Sequence, residues 1–191
     1  MRLIINFAAL VALCLLFSVS ANSQAPTPTA TPTADQKWSG FVEGAATLKS
    51  GAQFGQINLS AAKGHFWVWA QADKGYQEIY AGPRFNAGPV EVGVAVGAEN
   101  VGSHWRLGAY DIYGHKRLSQ LNLWEHGASG FWFRNETNVE VTKKFSVGVF
   151  GQRFAGWGVR CGLKFRHSEL WVATLEQHGG PTVLLGLRRN F

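Results

Sequence analysis

The 191-residue chain has little cysteine: Cys14 and Cys161 are its only two. Cys14 sits in an apolar N-terminal run, so cleavage of that run on export leaves Cys161 alone and excludes an intramolecular disulfide. Beyond that run no apolar stretch is long enough for a spanning helix, and no segment carries a convincing helical period. Charge is sparse as well, with 18 Lys and Arg against 12 Asp and Glu and a formal net charge of +6. The basic residues are scattered and form no nucleic-acid motif, which argues against nucleic acid as a partner. The six histidines, His65, His104, His115, His126, His167 and His178, lack metal-ligand spacing, so neither a metal nor another cofactor is expected.

The N-terminus reads as an export signal. Met1-Arg2 precedes an apolar run from Leu3 to Val19 and then Ser20-Ala21-Asn22, which predicts a signal peptide over 1–21 cleaved after Ala21. Leu13 stands before Cys14 where a lipoprotein would carry a small residue, so Cys14 is not read as an acylation site. Residues 22–36 hold the Pro/Thr tract Pro26-Thr27-Pro28-Thr29-Ala30-Thr31-Pro32-Thr33, which cannot bury a core and predicts an extended leader in the periplasm. The folded domain is placed at 37–191.

That domain reads as all-β. In Val90-Glu91-Val92-Gly93-Val94-Ala95-Val96-Gly97-Ala98-Glu99, valines and an alanine share one face while Glu, Gly and Ala share the other. Eleven turn signals punctuate the domain, from Leu48-Lys49-Ser50-Gly51 through Asn86-Ala87-Gly88-Pro89 to His178-Gly179-Gly180-Pro181, and imply twelve short strands. Strands of about ten residues suit a tilted bilayer crossing, and an even number returns both ends to the periplasm. The expectation is a closed antiparallel transmembrane β-barrel of about twelve strands, with eight to ten as the alternative count. At Asn86-Ala87-Gly88-Pro89 a tight hairpin is predicted to pair Phe85 with Val90 outward and Arg84 with Glu91 inward.

Alternate residues sort into two sets. On the outward parity, Trp38, Phe66, Phe85, Tyr113, Phe145, Phe165, Trp171 and Phe191 fall at the periplasmic strand ends, and Trp105, Phe131 and Trp157 at the opposite ends. These form two expected membrane-interface girdles, a sorting that a soluble lipocalin-like barrel has no reason to show. Cys161 is read as a small lipid-facing residue. The inward parity collects Glu43, Trp67, Trp69, Glu78, Tyr80, Arg84, Glu91, Glu99, Arg106, Tyr110, Trp132, Arg134, Glu136, Glu140, Arg160, Lys164 and Arg188 as the expected lumen lining, with Trp124 and Phe150 among its aromatics. Glu125, Arg153 and Arg189 are exceptions on the outward parity, close to strand ends where long side chains reach water.

The chain closes on Val183-Leu184-Leu185-Gly186-Leu187-Arg188-Arg189-Asn190-Phe191, in which every second residue back from the end is apolar except Arg189. This resembles the C-terminal targeting strand of bacterial outer-membrane β-barrels, whose assembly machinery reads a final Phe with alternating apolar residues. The resemblance implies that Leu185, Leu187 and Phe191 act as the assembly signal. It also implies integral residence in the outer membrane, with lipid and lipopolysaccharide as surroundings and the barrel assembly machinery as a partner.

Two readings of the interior stay open. In one, the aromatics and cations line a narrow channel for small anionic or sugar-like solutes, similar in outline to small twelve-stranded porin-type channels. Arg134, Arg160, Lys164 and Arg188 opposite Glu78, Glu91 and Glu99 would then set up a transverse field and a mild anion preference. In the other, Glu and Arg pair, the aromatics pack, and the barrel is a plugged structural or anchoring element. Enzymatic readings are more remote: His167-Ser168-Glu169, and Glu125 with His126 and Ser129, have residue types found in lipid-modifying outer-membrane enzymes. Neighbouring strand residues point apart, however, so no catalytic residue is assigned. Deleting Phe191 should lower the amount of heat-modifiable protein recovered in outer membranes several-fold, as read by fractionation and electrophoretic mobility before and after boiling. Undiminished recovery would show that the terminal aromatic is not read.

Overall fold

A computed structural model of the chain describes residues 37–48, 55–177 and 180–191. The expected signal peptide and leader, and the first and last expected turns in part, lie outside the described residues. Twelve strands run β1 (Ser39–Thr47), β2 (Gly55–Lys63), β3 (Phe66–Asp73), β4 (Gln77–Ala87), β5 (Val90–Glu99), β6 (Trp105–His115), β7 (Leu118–Gly127), β8 (Gly130–Glu140), β9 (Phe145–Gln152), β10 (Gly156–Phe165), β11 (Ser168–Gln177) and β12 (Gly180–Asn190). Each pairs antiparallel with its neighbours in sequence, and β1 pairs with β12 to close the barrel. The twelve-strand expectation is met, and the lower count of eight to ten is set aside.

Closure leaves no strand edge unpaired, so every strand sorts its side chains between an inner and an outer face. Along β5 the valines Val92, Val94 and Val96 are exposed outside while Gly93, Ala95 and Glu99 are buried within. Glycine on the inner face makes room for aromatics. A Cβ on Gly93 would lie 2.2 Å from the Tyr110 ring and 2.6 Å from Trp67 Nε1, and one on Gly186 would lie 2.2 Å from Trp171. Two apolar groups fill the inside: Trp67, Trp69, Tyr80, Ala95, Tyr110, Leu123 and Trp132, and separately Ala45, Phe150, Ala155, Trp171, Ala173, Leu175 and Leu184. Within the first, Trp67 meets Tyr110 edge-on with centroids 4.3 Å apart.

The β4–β5 hairpin is one turn residue pair tighter than predicted. Phe85 pairs with Val92 and Ala87 with Val90, leaving Gly88-Pro89 as the turn, with Gly88 at φ 63°. Only two residues are needed there because glycine accepts the left-handed conformation that such hairpins demand. Arg84 consequently pairs with Gly93 rather than Glu91. A two-residue slip preserves facing, so Arg84 and Glu91 still share the inner side and form an ion pair of 2.9 Å along the diagonal.

Two further expectations are corrected. Trp171, expected at the membrane interface, is 1% exposed and points inward, because its cross-strand partner Gly186 leaves a slot for the indole. On β7 the expected faces are exchanged: Glu125 is buried and Trp124 exposed. Both faces of β7 mix polar and apolar residues, so its own pattern does not fix the phase. Pairing with β6 does, since Glu125 lies opposite inward-facing Gly108.

Replacing Gly93 with valine should lower the midpoint of the heat-induced mobility shift in detergent, because overpacking of this kind costs about 1–3 kcal/mol. Gly44 has nothing within 4 Å of a built Cβ, so Gly44→Val serves as the control and should leave the midpoint unchanged.

Candidate functional site

The interior is a set of ion pairs laid between the aromatic groups. At the end of the barrel remote from the start of β1 and the end of β12, Arg106 of β6 is surrounded by three carboxylates. Its Nε lies 2.5 Å from Glu78, its Nη1 donates to Glu99 at 2.8 Å, and its Nη2 donates to Glu125 at 2.5 Å. Ser129 closes the shell by donating its backbone N–H and hydroxyl to Glu99 at 2.8 and 2.6 Å, and the Tyr80 hydroxyl donates to Glu125. Tyr76, in the β3–β4 turn, donates to Glu78 at 2.6 Å; burial and that carboxylate push its phenol well above the usual range and keep it a donor.

The middle of the barrel is crossed by a second group. Glu43 of β1 accepts from Arg134 of β8 at 2.5 Å, from Arg188 of β12 at 2.9 Å and from the Trp171 indole at 3.0 Å. Glu136 of β8 accepts from Arg134 at 2.7 Å and from Arg188 at 2.7 and 2.9 Å. The guanidinium of Arg134 stacks over Phe150 and that of Arg188 over Phe41, at 5.2 and 4.2 Å. Going round the shorter way, β12, β11, β10 and β9 lie between β1 and β8, so the Arg134–Glu43 pair spans the lumen from nearly opposite walls. Gln152 of β9 and Gln56 of β2 make a similar tie at 2.8 Å, continued through Asn58 and Gln71.

Smaller pairs complete the lining. Arg160 binds both oxygens of Glu169 at 3.1 and 3.0 Å and lies 5.0 Å over Trp171. Tyr110 donates to Glu91 at 2.5 Å, beside Arg84. Lys164 pairs with Glu140 near the rim, where both remain well exposed. The expected lining residues Glu43, Trp67, Trp69, Glu78, Tyr80, Glu99, Arg106, Tyr110, Trp132, Arg134, Glu136 and Arg160 are all buried; Arg84, Glu91, Lys164 and Arg188 are partly so. The expected opposition of a cationic wall to an acidic wall is corrected: each of these cations is neutralised by a carboxylate in contact with it.

Sequence reasoning missed several members. Phe41, Gln56, Asn58, Gln71 and Gln152 share the inward parity of their strands and were open to the same reading; Glu169 shares the parity of Trp171 and reads as outward with it. Ser129 reads only as a hydrolytic candidate, because a turn residue has no strand parity to place it in the lining. Of the expected interface aromatics, Phe66, Phe85, Phe145 and Phe165 are exposed at the end where β1 starts and β12 finishes, and Trp105, Phe131 and Trp157 at the other; Trp38, Tyr113 and Phe191 are half-buried. Of the two remote hydrolytic constellations, that of Glu125, His126 and Ser129 is not assembled, since the His126 ring packs outside against Trp105 while Ser129 bonds Glu99 within.

Arg106→Met should destabilise the barrel by about 3–5 kcal/mol in urea unfolding, because Glu78, Glu99 and Glu125 would keep a buried site with no cation. Adding Glu78→Gln and Glu125→Gln should recover much of that loss. Failure to recover would mean that the arginine stabilises by packing and not by charge.

No protein-family model matches the chain, and no curated protein matches it. Among solved structures it is similar to the NanC porin in a rhombohedral crystal form, at 10% identity over 80% of this chain and 100% of that one, with a TM-score of 0.49.

Proposed function

We propose that the protein is an integral β-barrel of the bacterial outer membrane whose interior is bolted shut, making it a structural or anchoring element. The observation that carries this reading is the cross-lumen contact of Arg134 with Glu43 at 2.5 Å, both side chains almost fully buried. Interior side chains of an open pore keep a solvated path beside them, and ion pairs between distant walls remove it. The outer face suits a lipid setting: exposed valines and leucines lie between aromatic bands, and Leu185 and Leu187 of the terminal strand point outward ahead of Phe191. In this reading outer-membrane lipid and lipopolysaccharide surround the barrel, the assembly machinery reads its last strand, and the leader reaches into the periplasm.

The narrow-channel reading rests on a different observation. An anchor needs only apolar filling, yet this lumen holds Arg106, Arg134, Arg160 and Arg188 with their carboxylates and a chain of amides. Conduction would then need the cross-lumen pairs to part, and small anionic or sugar-like solutes would replace the carboxylates on the guanidinium groups. Planar-bilayer recording separates the two. The refolded protein should give no steady conductance steps, while Arg134→Gly, which removes the tie to Glu43, should give flickering openings. Steady steps from the unaltered protein would establish the channel instead.

A further inference from the structure

Among the described residues, the outward-facing mid-strand positions are apolar on most strands, and polar side chains gather in one place, across β6, β7 and β8. Outward-facing positions at mid-strand carry Val92, Val94 and Val96 on β5, Val147 and Val149 on β9, and Val159, Cys161 and Leu163 on β10. On β6, β7 and β8 the same band instead holds Asp111, Asn122 and Asn135, with Gln120 and Thr137 one step along. Asp111 pairs with Asn122 and Asn122 with Asn135, so the three form a row across adjacent strands. Asn122 donates to Asp111 Oδ2 at 2.9 Å, and Asn135 donates to Asn122 Oδ1. All five residues are half-exposed, and exposed Trp124 stands beside the row on β7.

A carboxylate and two amides facing acyl chains are unfavourable, because hydrocarbon offers them no hydrogen bonds. Lipid head groups do not reach mid-strand, and the bonds above engage one N–H of each Asn and one oxygen of Asp111. We propose that the β6–β8 face is the contact surface of a homodimer, in which a second copy of this chain covers the row. The proposal rests on the membrane-spanning reading above. It does not depend on whether the lumen conducts.

The row itself identifies the occupant as another copy. Two copies inserted in the same sense are related by a two-fold axis along the membrane normal, which brings each patch against itself. With that axis passing through β7, Asn122 meets Asn122, and a primary amide is both donor and acceptor. The same rotation sets the two Asp111 carboxylates on opposite sides of the axis and keeps them apart. Trp124, on the strand that the axis crosses, supplies the large ring that commonly anchors such contacts.

The test uses the full chain in lipid vesicles, with heat-modifiable mobility confirming an inserted barrel for every variant. Energy transfer between separately labelled copies, followed as protein is diluted with lipid, should report a dimer. Asn122→Leu should weaken it at least ten-fold, and so should Asp111→Leu; leucine suits a lipid-facing site, so these variants should insert at least as well as the parent. Thr174→Leu, an outward polar residue on β11, should leave association unchanged. Short-range cross-linking through Asn122→Cys in a Cys161→Ala background, in native membranes, should give a product of twice the chain mass. A heat-modifiable barrel that is monomeric at every dilution overturns the dimer, as does cross-linking only to a different protein. Loss of heat-modifiable, membrane-inserted protein in the unaltered chain would instead overturn the membrane reading.

Discussion

The structure depends on Glu43. A carboxylate with no exposed surface, placed mid-barrel on the first strand, must find donors or unfold its surroundings, and it finds four from four other strands: Arg134, Arg188, Trp171 and Asn58. Arg134, Arg188 and Trp171 are each held in turn: the arginines by Glu136 and by aromatic rings, the indole by the space above Gly186. Buried ion pairs add little net stability compared with apolar packing of equal volume, but they are sensitive to geometry. A slip of one residue in any of these strands would carry a charge to the outer face. The network therefore acts chiefly to specify register and closure.

The same logic explains why polar and apolar groups interleave inside. Tryptophan and tyrosine fill the space between ion pairs, lower the local dielectric, and supply N–H and O–H donors that a purely aliphatic filling would lack. Tyr80 and Tyr110 do this for Glu125 and Glu91, and Trp171 does it for Glu43. Glycines opposite these rings let the large groups lie flat against the wall.

Fold class and strand number were legible from the chain because period-two alternation and turn residues are local properties, and because Val90–Glu99 shows both faces cleanly. Facing was legible wherever one side of a strand is uniformly apolar. It failed on β7, where Leu121 and Leu123 face in and Asn122 and Trp124 face out, so that only the neighbouring strand decides the phase. It failed for Trp171 because whether an aromatic near a strand end faces in or out depends on a glycine in another strand. The pairing of charges was the least legible part. Residues such as Glu43 and Arg134, 91 positions apart, meet only through the curvature of the closed sheet. The outward row of Asp111, Asn122 and Asn135 was not legible for a related reason, since each residue is ordinary on its own strand and the three form a feature only when the strands are aligned.

Eleven of the barrel's ladders join strands adjacent in sequence, and the β1–β12 ladder alone joins the two ends of the sheet. Hairpin ladders close short loops at small entropic cost and can form one after another, whereas the seam closes a loop the length of the domain. The chain thus has a single late topological event. Before it, the sheet exists with two raw edges; after it, none remain. Mechanical or thermal opening has the same preferred breach, because parting β1 from β12 severs one ladder that no turn tethers, while rupture elsewhere must break a hairpin that its own turn keeps ready to re-form.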